Sequence, residues 1–225
     1  MKQSATARLL NWLTVAMTVT ALVAVAAWIW QARHQHPSVP PPSLQRITDW
    51  REYGTGGIGH GDPAAPVTVV MFSDYQCPFC SAAFADLEKL AVERPQLLRI
   101  IYRNYPLTVH THAMAAALSA VCANNQHIFL RYSQLLFSHQ NTIGQRSWAS
   151  FASEAGANNL PVFEACLTDP RTAAIVAADT LAGTRIGIKG TPTILVNDLM
   201  VDGYPGKGEL DGYIRAAGGS SGEPH

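Results

Sequence analysis

The sequence predicts an α/β domain with a block of helices inserted in its middle, preceded by an apolar N-terminal segment. Three observations carry this. Residues 67–72 (VTVVMF) and 97–102 (LLRIIY) are apolar, β-branched-rich runs on either side of a helical pattern, which makes a strand–helix–strand unit with a parallel pair. From about 110 to 185 the apolar spacing is helical and no convincing strand is found. Residues 193–196 (TILV), 199–201 and 208–217 then read as strand, strand and closing helix.

Taken in order, residues 1–8 carry Lys2 and Arg8 and no acid, and residues 9–30 carry no charge at all. As a helix, residues 9–30 would measure about 33 Å, enough to cross a bilayer. Trp12 at one end and Trp28 and Trp30 at the other suit membrane interfaces. Residues 9–30 are therefore expected to be a transmembrane anchor, with residues 1–8 cytoplasmic and the rest on the extracytoplasmic, periplasmic side of a cell envelope. The alternative is a signal segment, with secretion after cleavage near Ala24-Val25-Ala26. Residues 31–43 contain PSVPPPS, whose prolines block helix and sheet alike, and are expected to be an extended linker. The folded domain is expected over 44–218 and a flexible tail over 219–225.

Within the domain, 47–53 is too short to assign and 54–61 reads as a glycine-rich loop. The strand at 67–72 runs through a polar turn, 73–76, into Cys77-Pro78-Phe79-Cys80 and a helix with Phe84, Leu87, Leu90 and Ala91 on one face. Arg94-Pro95 stops that helix. The inserted helices are expected at 113–123, 128–137, 147–155, 162–167 and 172–184, with breaks at 124–125, 141–144, 156–161 and 169–170. Asn197-Asp198 supplies the turn of the later hairpin.

Pro78 suits the first helical position, where a missing N–H costs nothing, so Cys77 is expected at the N-cap. Orphan amides and the helix dipole favour a thiolate there. Cys80, one turn on, should face inward. A strand feeding a helix that opens with C-x-x-C is the layout of a dithiol–disulfide exchange site. A purely structural Cys77–Cys80 bridge would close too small a loop to restrict the unfolded chain much. A zinc knuckle would need two further ligands at suitable spacing, and Cys122 and Cys166 stand singly. No metal and no cofactor is expected. A net charge of zero with 14% charged residues and no basic stripe argues against nucleic acid as a partner.

Residues 72–80 (FSDYQCPFC) and 187–193 (GIKGTPT), in that order and context, resemble the thioredoxin superfamily, and within it the DsbA-like thiol–disulfide oxidoreductases of bacterial envelopes. The resemblance covers roughly 49–217. It implies a thioredoxin-like fold with an inserted helical subdomain, Cys77 as exposed nucleophile, Cys80 as resolving cysteine and Pro192 as a cis-proline facing them. Thr191, Pro78 and Phe79 would contact substrate. Two residues depart from DsbA itself. Phe79 stands where DsbA has a histidine, and Thr191 is more similar to the bacterial disulfide isomerases, so the direction of exchange, oxidase or reductase/isomerase, stays open. Related proteins often carry a second cysteine pair, which implies a structural Cys122–Cys166 disulfide worth about 3–4 kcal/mol on the chain-entropy model; two buried free thiols are the alternative.

The implied function is protein thiol–disulfide exchange on cysteine-containing exported proteins, with a membrane or small-molecule redox partner to reset the pair. A copper- or zinc-binding envelope protein and a redox-inactive chaperone are the rivals. Asp74 and Glu88 either assist proton transfer to Cys80 or cap a turn and face water. His110, His112, His127 and His139 show no ligand spacing and are expected in surface or capping roles. Tyr75 and Phe79 are expected to form an apolar rim around Cys77.

Overall fold

The structure is a computed structural model that describes residues 5–34 and 43–219. It divides into two units, residues 1–41 and 42–225. In the first, one helix, α1 (Ala5–His34), contains the apolar span Trp12–Trp30, with a mean hydropathy of 2.0. Its length and composition allow it to cross a membrane, and they equally suit a signal sequence. The helix includes 31–34, which the sequence reading gave to the linker. No proline occurs before Pro37 to stop it. The proline-rich remainder falls within 35–42, outside the described residues.

The second unit holds a six-stranded sheet. Its strands are β1 (Leu44–Arg46), β2 (Ile58–His60), β3 (Val67–Ser73), β4 (Leu98–Asn104), β5 (Thr193–Val196) and β6 (Leu199–Asp202), in the order β1-β6-β5-β3-β4-β2. β3 and β4 pair in parallel, Val69 opposite Ile100, and the crossover between them is α2 (Pro78–Glu93). The other pairings are antiparallel. β3 is covered on both faces, which is why it reads as an unbroken apolar run. Val67, Val69 and Met71 pack with Phe84, Leu87 and Leu90 of α2, and with Leu210 and Ile214 of α8 (Lys207–Gly219). Val70 and Phe72 pack on the opposite face with Ile47, Ile101, Leu195 and Met200.

Between β4 and β5 lie α3 (Ala113–Asn125), α4 (Phe129–Ser138), α5 (Trp148–Ala155), α6 (Leu160–Leu167) and α7 (Pro170–Arg185). α6 and α7 both begin two residues before the sequence reading placed them. Pro161 and Pro170 had read as breaks; both sit in the first turn behind caps, where the Asn159 and Asp169 side chains accept from Val162 and Arg171 amides. α7 is tied to the sheet by a buried ion pair, Arg103 to Asp179 at 2.9 Å, and the Asn104 amide also donates to that carboxylate.

Two further readings are corrected. Residues 58–60 form an edge strand inside the supposed glycine-rich loop, because β4 offers them a free backbone edge. Gly57 and Gly61 flank it with positive φ, and a Cβ at either would press on a β4 carbonyl. α8 runs through Gly219, past the expected end of the domain at 218; residues 220–225 lie outside the described residues.

Candidate active site at the start of the second helix

β3 ends at Ser73, and the turn Asp74–Gln76 delivers the chain to Cys77, the N-cap of α2 with extended φ/ψ of −81° and 119°. The cap bonds come from the backbone: the Cys80 and Ser81 amides donate to the Cys77 carbonyl at 3.1 and 3.3 Å. Pro78 occupies the first turn, as its fixed φ and missing N–H allow. Both thiols are unbridged. Cys80 is fully buried beneath the turn, and Cys77 is only 5% exposed. Cys77 is therefore less open than the expected exposed nucleophile, because the chain around Thr191 lies against its sulfur. The exposed side chains at the helix start are Pro78 and Phe79, the latter at 58%.

Thr191 comes from the far end of the chain. Its peptide bond to the buried Pro192 is cis, and its carbonyl accepts from Cys77 Sγ at 3.2 Å. Among the described residues the buried Thr191 hydroxyl has no oxygen or nitrogen partner, and it helps to lower the pKa of both sulfurs.

The environment sets the two thiols apart. The Cys80 side chain donating to Cys77 is the largest reason that the Cys77 pKa falls to about 6, against burial, which raises it. The Cys80 and Phe79 amides and Thr191 lower it further. Burial pushes Cys80 well above the ordinary thiol range, and the neighbouring Cys77 adds to this as hydrogen-bond acceptor and as charge. Cys77 is thus the first of the pair to lose its proton, and as a thiolate its sulfur no longer donates to the Thr191 carbonyl. Such a pair can attack a disulfide through Cys77 and keep a proton on Cys80.

Several residues that frame the turn did not stand out in the sequence. Gln140, in a 3₁₀ turn at Gln140–Thr142, donates from Nε2 to the Tyr75 and Cys77 carbonyls at 2.8 and 2.9 Å. Gln76 Oε1 accepts from the His112 amide at 2.6 Å. Asp74 is buried; its carboxylate accepts from the Gln76 and Leu107 amides, each at 2.8 Å, and meets His110 Nδ1 at 2.9 Å. His110 is thus a partner of the turn, rather than a surface or capping residue. Asp74, which the sequence offers as a proton-transfer group for Cys80 or a turn cap, caps the turn through the Gln76 amide.

Tyr75 does not join Phe79 in a rim. It is buried, its hydroxyl pairs with Ser133 Oγ at 2.8 Å, and its ring stacks on Phe137. Glu88 accepts from Tyr102 at 2.5 Å and lies 3.7 Å from His60 Nε2. Cys122 and Cys166 are joined in a disulfide between α3 and α6. Among the described residues no group of three or more His, Cys, Asp or Glu side chains is placed to hold a metal.

Among solved structures, a thioredoxin-like oxidoreductase from Silicibacter pomeroyi is 26% identical, covering 76% of this chain and 97% of its own, with a TM-score of 0.66. Two others share the fold. Oxidised BdbD from Bacillus subtilis is 23% identical, covering 72% and 92% of the two chains, with a TM-score of 0.62. The thiol-disulfide exchange protein α-DsbA2 from Wolbachia pipientis is 20% identical, covering 70% and 85%, with a TM-score of 0.63. Among curated proteins, the Na(+)/H(+) antiporter NhaA 3 of Salinispora tropica is 35% identical over 138 residues, which are 61% of this chain and 21% of that protein. The match spans about a fifth of the length of such relatives, and the antiport in their name is theirs. The family described as Thioredoxin matches residues 55–216, from the loop before β2 to α8. The chain belongs to the thioredoxin family, and its fold is that of the family's DsbA-like thiol–disulfide oxidoreductases.

Proposed function

We propose that this chain is a protein-disulfide oxidoreductase of the cell envelope, working through Cys77 and Cys80 on cysteine-containing exported proteins. The observation that carries the reading is the placement of the pair, Cys77 at the N-cap of α2 with its sulfur 3.2 Å from the Thr191 carbonyl and Cys80 buried one turn on, which lowers the Cys77 pKa to about 6 and raises that of Cys80. In the oxidising direction, a substrate thiolate attacks the Cys77 sulfur of the Cys77–Cys80 disulfide. The S–S bond breaks, its electron pair goes to the Cys80 sulfur, and Cys80 takes up a proton. A second substrate thiolate then attacks the substrate sulfur of the mixed disulfide and expels Cys77 as thiolate. The substrate is oxidised by two electrons, and the reduced pair needs a membrane or small-molecule disulfide or quinone to accept them. A Cys77 thiolate stable near neutral pH is a good leaving group, which favours this direction.

Thr191 and Pro192 would bind an extended substrate segment beside Cys77, with Pro78 and Phe79 supplying exposed apolar surface. Residues 9–30 would either anchor the chain or direct its export, and the domain over 44–218 would act on the extracytoplasmic side. Cys122–Cys166 would be structural, since it ties α3 to α6. The test is Cys80→Ser. The variant should accumulate mixed disulfides between Cys77 and exported proteins, seen as adducts on nonreducing gels that reductant dissolves. A variant forming none, beside a wild-type chain that oxidises no reduced substrate, refutes the function.

A further inference from the structure

Cys80 lies in a site without solvent, so the negative charge that reaches its sulfur when the disulfide opens must be met by a fixed donor. Apart from its partner cysteine and Thr191, the group placed to do so is the Asp74 backbone amide, 3.5 Å from Cys80 Sγ and lowering its pKa. That amide belongs to a residue held at every polar atom. The Asp74 carbonyl accepts from the Cys77 amide at 3.1 Å. Oδ1 accepts from the Gln76 amide, and Oδ2 from the Leu107 amide. The remaining contact of the carboxylate is His110 Nδ1 at 2.9 Å. With both carboxylate oxygens already accepting from backbone amides, the tautomer assigned to His110 makes Nδ1 the donor of this contact. Leu107 and His110 stand in the loop after β4, and through Asp74 that loop determines where the amide facing Cys80 points. Of the clamps on the carboxylate, His110 is the one made by another residue's side chain.

We propose that His110 is a positioning residue for the Cys80 leaving group: it touches neither cysteine, and by donating to Asp74 it fixes the amide that receives charge on the Cys80 sulfur. The proposal rests on the reading of Cys77 and Cys80 as the working pair. When a thiolate bonds to Cys77 Sγ and the Cys77–Cys80 bond breaks, the departing electron pair settles on Cys80 opposite the Asp74 N–H. Without His110 the carboxylate keeps two amides but loses its lateral clamp, and the turn can rotate that N–H away from the sulfur.

The experiment uses the oxidised full chain in detergent and follows dithiothreitol reduction of Cys77–Cys80 by quenched alkylation and mass spectrometry. Three variants separate the donor from the ring. His110→Ala removes both, His110→Phe keeps the volume of the ring without a donor, and His110→Asn restores a donor close to the position of Nδ1. The loss of one hydrogen bond serving a charged sulfur predicts a reduction rate about five- to tenfold slower in His110→Ala and His110→Phe. His110→Asn should come back to within about twofold of wild type. Should His110→Ala not fold, the Phe and Asn pair decides alone. A wild-type rate in His110→Phe, or an Asn variant as slow as Phe, overturns the proposal. Because dithiothreitol replaces any protein substrate, a wild-type chain without protein oxidation would defeat the proposed function and leave this result standing separately.

Discussion

Cys77 and Cys80 sit one turn apart at the start of α2, whereas Cys122 and Cys166 lie 44 residues apart on α3 and α6 and are bonded to each other. The first pair closes almost no loop and so contributes little to stability as a cross-link; its surroundings are instead arranged to make its two sulfurs unequal. The second closes a long loop within the helical block and is already spent as a bond between two helices. Cys122 is buried, and Cys166 is flanked by Thr172 Oγ1 and Asn125 Nδ2 at 3.3 and 3.5 Å. The difference teaches that the placement of a cysteine pair, rather than its chemistry, decides whether it works or holds.

Four outcomes would sharpen or break that contrast. The largest is expected from Cys77→Ser, which should lower turnover of a reduced, unfolded substrate by on the order of a thousandfold or more, because the covalent intermediate is lost. Removing the other pair, as Cys122→Ala with Cys166→Ala, should cost stability instead, about 3–4 kcal/mol in urea unfolding. Loss of turnover in that double variant at temperatures where it stays folded would erase the distinction.

Smaller, and set by pH, is the reactivity of Cys77. With its pKa near 6 rather than the ordinary 9.0, alkylation of the reduced chain by iodoacetamide should reach half its plateau near pH 6, with Cys80 unreacted. The sign for stability follows. The folded-state pKa is depressed, so Cys77 stabilises the reduced fold fully above pH 9.0, and this contribution is lost as pH falls through about 6. A midpoint near 9 would show that the helix start does nothing for this thiol. Smallest of all, Phe79→Ala should leave the melting temperature unchanged and raise KM for unfolded substrates about threefold to fivefold, the scale of one exposed apolar contact.

The frame of the domain was legible in the sequence because it is written locally. The runs at 67–72 and 97–102 are apolar throughout since both faces of their strands are covered, and Pro78 and Arg94 mark the ends of α2. β2 was not legible: three residues between glycines show no alternation, and they form a strand only because β4 is beside them. The starts of α6 and α7 were read late because a proline looks the same as a break and as a first-turn residue until its cap is seen. Within the site, Cys77, Cys80, Thr191 and Pro192 announced themselves by motif. Gln140 and His110 did not, since a polar side chain on a loop carries no mark of the carbonyl or carboxylate it will reach. Tyr75 was misplaced because its spacing from the cysteines says nothing of the pocket formed by Ser133 and Phe137.

The contact between Cys77 and Thr191 joins positions 114 residues apart, and this has a consequence for biosynthesis. A growing chain that has emerged only as far as β4 already carries both cysteines, with α2 able to form. It has neither the carbonyl at 191 nor Gln140, and the loop that grips Asp74 has only begun to appear. The covered form of the pair, with the chain around Thr191 against the Cys77 sulfur, therefore cannot be assembled until residue 191 has left the ribosome. Until then the Cys80 and Phe79 amides of α2 can already lower the Cys77 pKa, while the segment around Thr191 that covers the sulfur is missing, so Cys77 is open to exchange with other thiols during synthesis.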